Sequence, residues 1–182
     1  MITIKIINQA HKADINIKNE PFPLFGRMIP SYCNGKWSYE TEQFNEKEIT
    51  ETCFPDENYE WDDLAKNSVF VGAYDGNECI GLSILHQAMM KYMYLYDLKV
   101  NKAYRGRHIG KLLIEKSKAV AMEYGYRGLY TQGQSNNLGV CLFYLNNGFV
   151  IGGLDTHVYT GTSLEGEWDI LFYCDITEAD IQ

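Results

Sequence analysis

At 182 residues, with 46% hydrophobic and 22% charged side chains, the chain has ordinary globular usage and the length of a single domain, residues 1–182. A net charge of -8 and a pI near 5.0 argue against nucleic acid as a partner, because phosphate backbones reward basic stripes, and leave room for a cationic one. Five cysteines (Cys33, Cys53, Cys79, Cys141, Cys174) without a Cys-x-x-Cys pair, and four scattered histidines, argue against a disulfide framework, a zinc ribbon and any bound metal.

In chain order, the alternation from Ile2 to Ile7 predicts a strand, too short and too interrupted for a signal peptide or a membrane span. A cytoplasmic protein without membrane association is expected. Glu20-Pro21-Phe22-Pro23 and Arg27-Met28-Ile29-Pro30 interrupt regular structure, whereas Trp37-Ser38-Tyr39-Glu40 has strand character. Glu46 to Glu51 reads as the start of a helix and Asn58 to Leu64 as another short piece. Val69 to Tyr74, the turn Asp75-Gly76-Asn77 and Cys79 to Leu85 predict a β-hairpin.

Tyr92 to Val100 continues as a strand, with Tyr92, Tyr94, Tyr96, Leu98 and Val100 on one face and Met93, Leu95, Asp97 and Lys99 on the other. From Ile109, apolar residues at Leu112, Leu113, Ala119, Val120 and Met122 recur at helical spacing until Tyr124-Gly125. A short strand at Arg127 to Thr131 and a second helix from Asn137 to Asn147, closed by Gly148, follow. Phe149 to Ile151, Val158-Tyr159 and Ile170 to Cys174 supply the remaining strands, the last of them antiparallel.

The chemistry concentrates between Asp97 and Tyr144. The loop Arg105-Gly106-Arg107-His108-Ile109-Gly110 opens a helix, so free backbone N–H groups and the positive end of the helix dipole face outward together, a setting for a pyrophosphate. The amides of Arg107, His108, Ile109, Gly110 and Lys111 would form that cradle if their dihedrals stay helical. A P-loop does not fit: the spacing from Gly106 to Lys111 is one residue short and no Ser or Thr follows the lysine. Asp97, on the strand feeding the loop, is a carboxylate that would take a proton from an attacking amine, directly or through water, or hold an ammonium group; a solvated strand charge is the plain alternative.

These segments resemble the GNAT superfamily of N-acetyltransferases. Its Arg/Gln-x-x-Gly-x-Gly/Ala signature falls on Arg105, His108 and Gly110, with histidine in place of the central glycine. A second signature, Asn-x-x-Ala-x-x-(aromatic or Leu)-Tyr-x-x-x-Gly-Phe, runs from Asn137 to Phe149 with Val140 in place of alanine. The resemblance implies an α/β (α+β) acyl-CoA N-acyltransferase fold, a mixed, mostly antiparallel twisted sheet flanked by helices with a splayed central strand, and acetyl-CoA as co-substrate. It implies that the backbone of Leu98 and Val100 meets the pantetheine arm together with Asn137, and that the cofactor also lies against Arg105, Gly106, Arg107, His108, Ile109, Gly110, Lys111 and Cys141. It assigns to Tyr144 the proton given to the departing thiolate, a step suited to a phenol, which keeps its proton at neutral pH. Cys141 lies one helical turn before Tyr144; an acyl-cysteine is conceivable there, and a small core thiol is the plainer reading.

The likeness extends to the streptothricin acetyltransferases through Glu20-Pro21-Phe22, Gly26 to Tyr32, Trp37-Ser38-Tyr39, the Asp97 strand, Gln134 to Asn137, Cys141, Phe143-Tyr144, Gly148 to Gly152, Asp155 and Tyr159. That likeness implies acetylation of the β-lysine amine of a small cationic antibiotic, giving resistance to it. Glu20, Trp37, Tyr39, Asp97 and Asp155 are the expected substrate contacts, since carboxylates and aromatic faces both attract cations, with Tyr94 and Tyr159 as further ring faces. Other small polyamines, a peptide amine, or a non-catalytic acyl-CoA sensor remain as alternatives. Oligomeric state is left open, a homodimer included.

Overall fold

The computed structural model describes residues 1–177. In chain order they form β1 (Ile2–Ile6), β2 (Phe22–Leu24), β3 (Gly26–Cys33), β4 (Lys36–Gln43), β5 (Thr50–Thr52), α1 (Trp61–Leu64), β6 (Ser68–Asp75), β7 (Glu78–His86), β8 (Tyr92–Val100), α2 (Ile109–Glu123), β9 (Gly128–Gln134), α3 (Leu138–Asn146), β10 (Val150–Asp155) and β11 (Asp169–Asp175), with 3₁₀ turns at Gln9–Asn16 and Lys102–Tyr104. They divide into two compact units. Met1–Pro21, Cys53–Leu129 and the residues from Asp175 make the first, Phe22–Thr52 and Tyr130–Cys174 the second.

In the first unit β1, β6, β7 and β8 are antiparallel neighbours, the β6–β7 pair being the expected hairpin. Helix α2 covers one face of this sheet. The stripe it buries is Ile109, Leu113, Ile114, Ser117, Val120 and Ala121, and a bond of 2.9 Å joins the Ser117 and Ser83 hydroxyls so that neither is left unpaired. Leu112 and Met122, counted above as part of the apolar spacing, lie on the outward side, each 38% exposed. Ile7, Ile15, Phe70, Tyr74, Cys79, Leu82 and Ile84 form a second cluster, closed by Ile17, Tyr59, Trp61 and Leu64.

Strand β8 breaks its own alternation. Ile84 pairs with Asp97 and Leu85 with Leu95, which leaves Tyr96 as an extra residue, a β-bulge. Directly paired residues share a face, so Leu98 and Val100 lie with Ser83 and Gly81 on the α2 side, while Asp97 and Lys99 lie with Ile84 and Leu82 on the opposite side. The uninterrupted alternation that put Leu95 beside Asp97 is therefore corrected. A one-residue slip reverses every side chain beyond it.

In the second unit β3 and β4 form a long hairpin whose Asn34-Gly35 turn has φ of 51° and 80°, the left-handed pair that a two-residue hairpin loop demands. Pro30, read above as an interruption, sits inside β3 opposite Tyr39. A two-stranded ribbon leaves one edge of each strand without a ladder partner, so a residue with no N–H is tolerated there. Phe22–Leu24, also read as broken, pairs as β2 with β5. The helix expected from Glu46 is a turn, closed by Glu48 N–H to the Asn45 carbonyl (2.9 Å) and Asn45 N–H to the Glu48 carboxylate (3.0 Å), because the chain must extend again at Thr50.

Strands β9, β11 and β10 lie in that order, with β10 and β11 antiparallel as expected. Val158-Tyr159 is not a strand. Asp155 accepts the amides of His157 (2.8 Å) and Val158 (3.0 Å) and turns the chain out of extended conformation immediately after β10.

Candidate functional site

The loop before α2 is built from its base upward. The Arg105 guanidinium donates to three backbone carbonyls, Val100 (2.9 Å), Pro21 (2.7 Å) and Glu20 (3.1 Å), and the Glu20 carboxylate accepts the amide of Lys102. Arg105 and Glu20, expected to touch cofactor and substrate respectively, thus both tie the end of β8 to the 20–21 corner. Lys111 is exposed and faces Glu115 across one helical turn at 3.8 Å.

The loop is not helical throughout, as the cradle reading required. His108 is the N-cap of α2 in the left-handed region, φ 61° and ψ 10°, and Gly106 has φ 74°. The amides of Ile109, Gly110 and Lys111 open the helix, where no carbonyl one turn back can accept them. A Cβ on Gly106 would meet nothing within 4 Å. An open loop over the donor end of a helix 15 residues long fits an anionic group.

His108 holds a conformation that glycine adopts freely, and its exposed side chain makes no capping bond. His108→Gly is therefore expected to stabilise the fold by up to about 1 kcal/mol, the relief of left-handed strain less the added backbone entropy of glycine. Chemical denaturation of both proteins checks this, and a lower midpoint for the variant would show that the imidazole contributes contacts of its own.

On the face of β8 opposite α2, Asp97 is not a solvated charge. Its side chain is 16% exposed, its Oδ2 lies 3.0 Å from Lys99 Nζ, and it accepts the Tyr59 hydroxyl at 3.2 Å. Lys99, 10% exposed, also meets Glu57 Oε2 at 2.7 Å. Asn19 fixes Glu57 in turn, donating from Nδ2 to its Oε1 (2.9 Å) and to the Pro55 carbonyl (2.8 Å). Burial pushes the Asp97 carboxyl above its ordinary value and outweighs the opposing pull of Lys99. The Tyr59 phenol is pushed up as well, by burial and then by the Asp97 and Glu57 carboxylates. A carboxylate made more basic by burial, with a cation beside it, is suited to receive a proton.

Tyr59, Glu57 and Asn19 were not visible as site residues in the sequence. Lys99 was not expected there either, although its place two residues beyond Asp97, on the same face of the strand, was a signal that could have found it.

The second unit carries the other signature. Asn137 is the N-cap of α3, its Oδ1 accepting the Val140 amide at 3.2 Å, and it forms a parallel bridge with Gly26. The approach needs glycine there: a Cβ on Gly26 would stand 2.4 Å from the Glu42 carbonyl and 2.8 Å from the Leu138 side chain. Tyr144 is 6% exposed, with its ring centroid 5.6 Å from Phe143, 5.2 Å from Phe149 and 5.4 Å from Phe172. Cys141 is fully buried, its thiol directed at the Gln134 carbonyl at 3.4 Å and pushed up to about 12 chiefly by burial. A thiol so hard to ionise is a core packing group, which disfavours an acyl-cysteine.

Of the expected substrate residues in this unit, Tyr39 is exposed on β4 and the Trp37 ring packs at a tilt against Tyr32, with centroids 4.9 Å apart. Asp155 is engaged by the turn described above. The Tyr159 hydroxyl donates to buried Asp169 at 2.6 Å, which fixes the ring through its polar end. In the first unit the Tyr94 ring lies edge-on to His86 and Tyr96.

The profile of the Acetyltransferase (GNAT) family matches residues 31–149, and the chain belongs to that family. It is an acetyl-CoA-dependent N-acetyltransferase with the GNAT fold, a mixed α/β arrangement whose sheet is mostly antiparallel with one parallel pair. Among its relatives, streptothricin acetyltransferase A of Bacillus subtilis (strain 168) is 32% identical over 160 residues, 88% of this chain and 92% of that protein. Streptothricin acetyltransferase of Escherichia coli is 29% identical over 54% of this chain and 56% of its own. A solved candidate streptothricin acetyltransferase from Bacillus anthracis (strain Ames), in complex with acetyl-coenzyme A, superposes with a TM-score of 0.84 at 27% identity, covering 97% of this chain and 99% of that one. Among the described residues no helix is long and apolar enough to cross a membrane.

Proposed function

We propose that this enzyme acetylates the β-lysine amine of streptothricin and so protects its host from the antibiotic. The observation that carries the proposal is the likeness to the Bacillus subtilis enzyme along 92% of that protein, since cofactor signatures are common to all GNAT enzymes and the rest of the chain is not. The part-buried Asp97 carboxylate supports it with chemistry. An amine in water is mostly protonated and must lose a proton to attack, and a basic, shielded carboxylate favours that loss.

Acetyl-CoA supplies an activated acyl group. The amides at the start of α2 hold its pyrophosphate, and the backbone of Leu98 and Val100 and the side chain of Asn137 orient its pantetheine arm. Asp97 receives the proton that the acceptor nitrogen sheds as the new N–C bond forms. Tyr144 gives its phenolic proton to the sulfur as the C–S bond breaks, so that amide and free thiol leave together.

Incubation of the purified enzyme with acetyl-CoA and a panel of amines, streptothricin included, tests the reading. Release of one thiol per drug molecule, a single added acetyl group on the β-lysine side chain by mass spectrometry, and survival of expressing cells on the antibiotic are expected. Intact streptothricin after long incubation with enzyme that turns over another amine would overturn the substrate. A melting temperature unmoved by a large excess of acetyl-CoA would overturn the placement of the cofactor loop, since a ligand that binds only the folded state must raise it.

A further inference from the structure

Two carboxylates, Asp97 and Glu57, share one cation. Lys99 Nζ stands 3.0 Å from Asp97 Oδ2 and 2.7 Å from Glu57 Oε2, with side-chain exposures of 10% for Lys99, 16% for Asp97 and 30% for Glu57. Asn19 clamps Glu57 from the far side, donating to its second oxygen and to Pro55, while its own amide donates to Asp56 at 2.8 Å. Tyr59, from the same 53–60 segment, closes over the group: its hydroxyl donates to Asp97, and Lys99 Nζ lies 5.7 Å from its ring centroid. A lone strand residue would not draw a separate segment of chain into such a bonded set.

We propose that Lys99 is a positioning residue for the acceptor chemistry: its ammonium holds Asp97 ionised and in one rotamer, and Glu57 divides that ammonium so that Asp97 stays basic enough to accept a proton. The proposal rests on the reading that Asp97 receives the proton of the acceptor amine. An unshared lysine at 3.0 Å would stabilise the Asp97 charge strongly and make a poor base of it; no lysine at all would leave a part-buried acid that releases its proton less readily. Sharing the cation with Glu57 places the carboxylate between those limits. The groups facing Asp97 are Lys99 on its own strand and Glu57 and Tyr59 on the 53–60 segment, with Tyr96 at the bulge 6.1 Å from the Tyr59 ring and His86 of β7 stacked on Tyr96 at 4.0 Å. His86 is itself kept neutral by burial, so it adds no charge near neutral pH.

The inference predicts shifts of opposite sign from two neutralising substitutions. Removing the cation with Lys99→Met should raise the titration midpoint of the Asp97 carboxyl, followed by carbon-13 NMR, by about 1 pH unit or more, and Glu57→Gln should lower it by returning the whole ammonium to Asp97. Lys99→Arg should restore a midpoint near that of the wild type. Loosening of the fold would not move the two midpoints in opposite directions. An Asp97 midpoint unmoved by Lys99→Met, or moved the same way by both variants, overturns the network. Should Lys99→Met fail to fold, Glu57→Gln decides alone, a midpoint that does not fall being the overturning result. The acid limb of kcat/KM should follow the NMR midpoint from variant to variant. If the midpoints move as stated and the limb does not, it is the proton-acceptor reading of Asp97 that fails.

Discussion

Tyr144→Phe is expected to lower kcat about 10²–10⁴-fold while changing KM for acetyl-CoA much less, the range that general acid catalysis contributes. Packing makes the substitution clean. The Tyr144 ring is buried among Phe143, Phe149 and Phe172, and phenylalanine keeps that ring and its contacts while removing a single hydroxyl. Melting temperature should therefore fall by no more than the loss of one hydrogen bond allows, about 1 kcal/mol, as the rate collapses. Initial rates by thiol release, measured with a thermal melt on the same preparation, check both halves. An unchanged kcat would remove Tyr144 from the mechanism, and a loss of stability with full activity would make it a packing residue.

Asp97→Asn is expected to reduce kcat/KM for streptothricin by about 10²–10⁴-fold near neutral pH, the contribution of a lost general base. The pH profile carries the sign. Burial raises the Asp97 carboxyl above its ordinary value, so in the wild type the base is lost as pH falls through that raised value and regained as pH rises through it. The acid limb should accordingly lie above the range of an exposed aspartate. In the variant the deficit should shrink with increasing pH, because more of the acceptor amine is then neutral without help. A deficit that persists at high pH would instead assign Asp97 to capturing an ammonium group.

The two signatures, the β6–β7 hairpin and the ends of α2 and α3 were legible in the sequence because each depends on contacts near in the chain. Gly125 and Gly148 have φ of 77° and 85°, the left-handed turn that ends a helix, and both stand where the helical spacing stops. The Asn34-Gly35 turn carried an equally local signal, and with it the β3–β4 hairpin could have been read despite Pro30.

Local spacing by itself determined the hairpin, the two helices and the open loop before the first of them, since dihedral preferences and periodicity are written within a few residues of where they act, and the resemblance of the two signatures to the GNAT superfamily implied the class of protein and its acyl donor. Tertiary structure alone decided which side chains meet. The bulge at Tyr96 arises from the pairing of β8 with β7, and it puts Asp97 on the opposite face from Leu95. The charge state of Asp97 depends on Glu57 and Tyr59, some forty residues earlier, and Arg105 is bound by carbonyls of Glu20 and Pro21. Burial makes Cys141 the core thiol that was already its plainer reading. Desolvation and charge pairing depend on what folds against a residue, and no spacing along the chain encodes that.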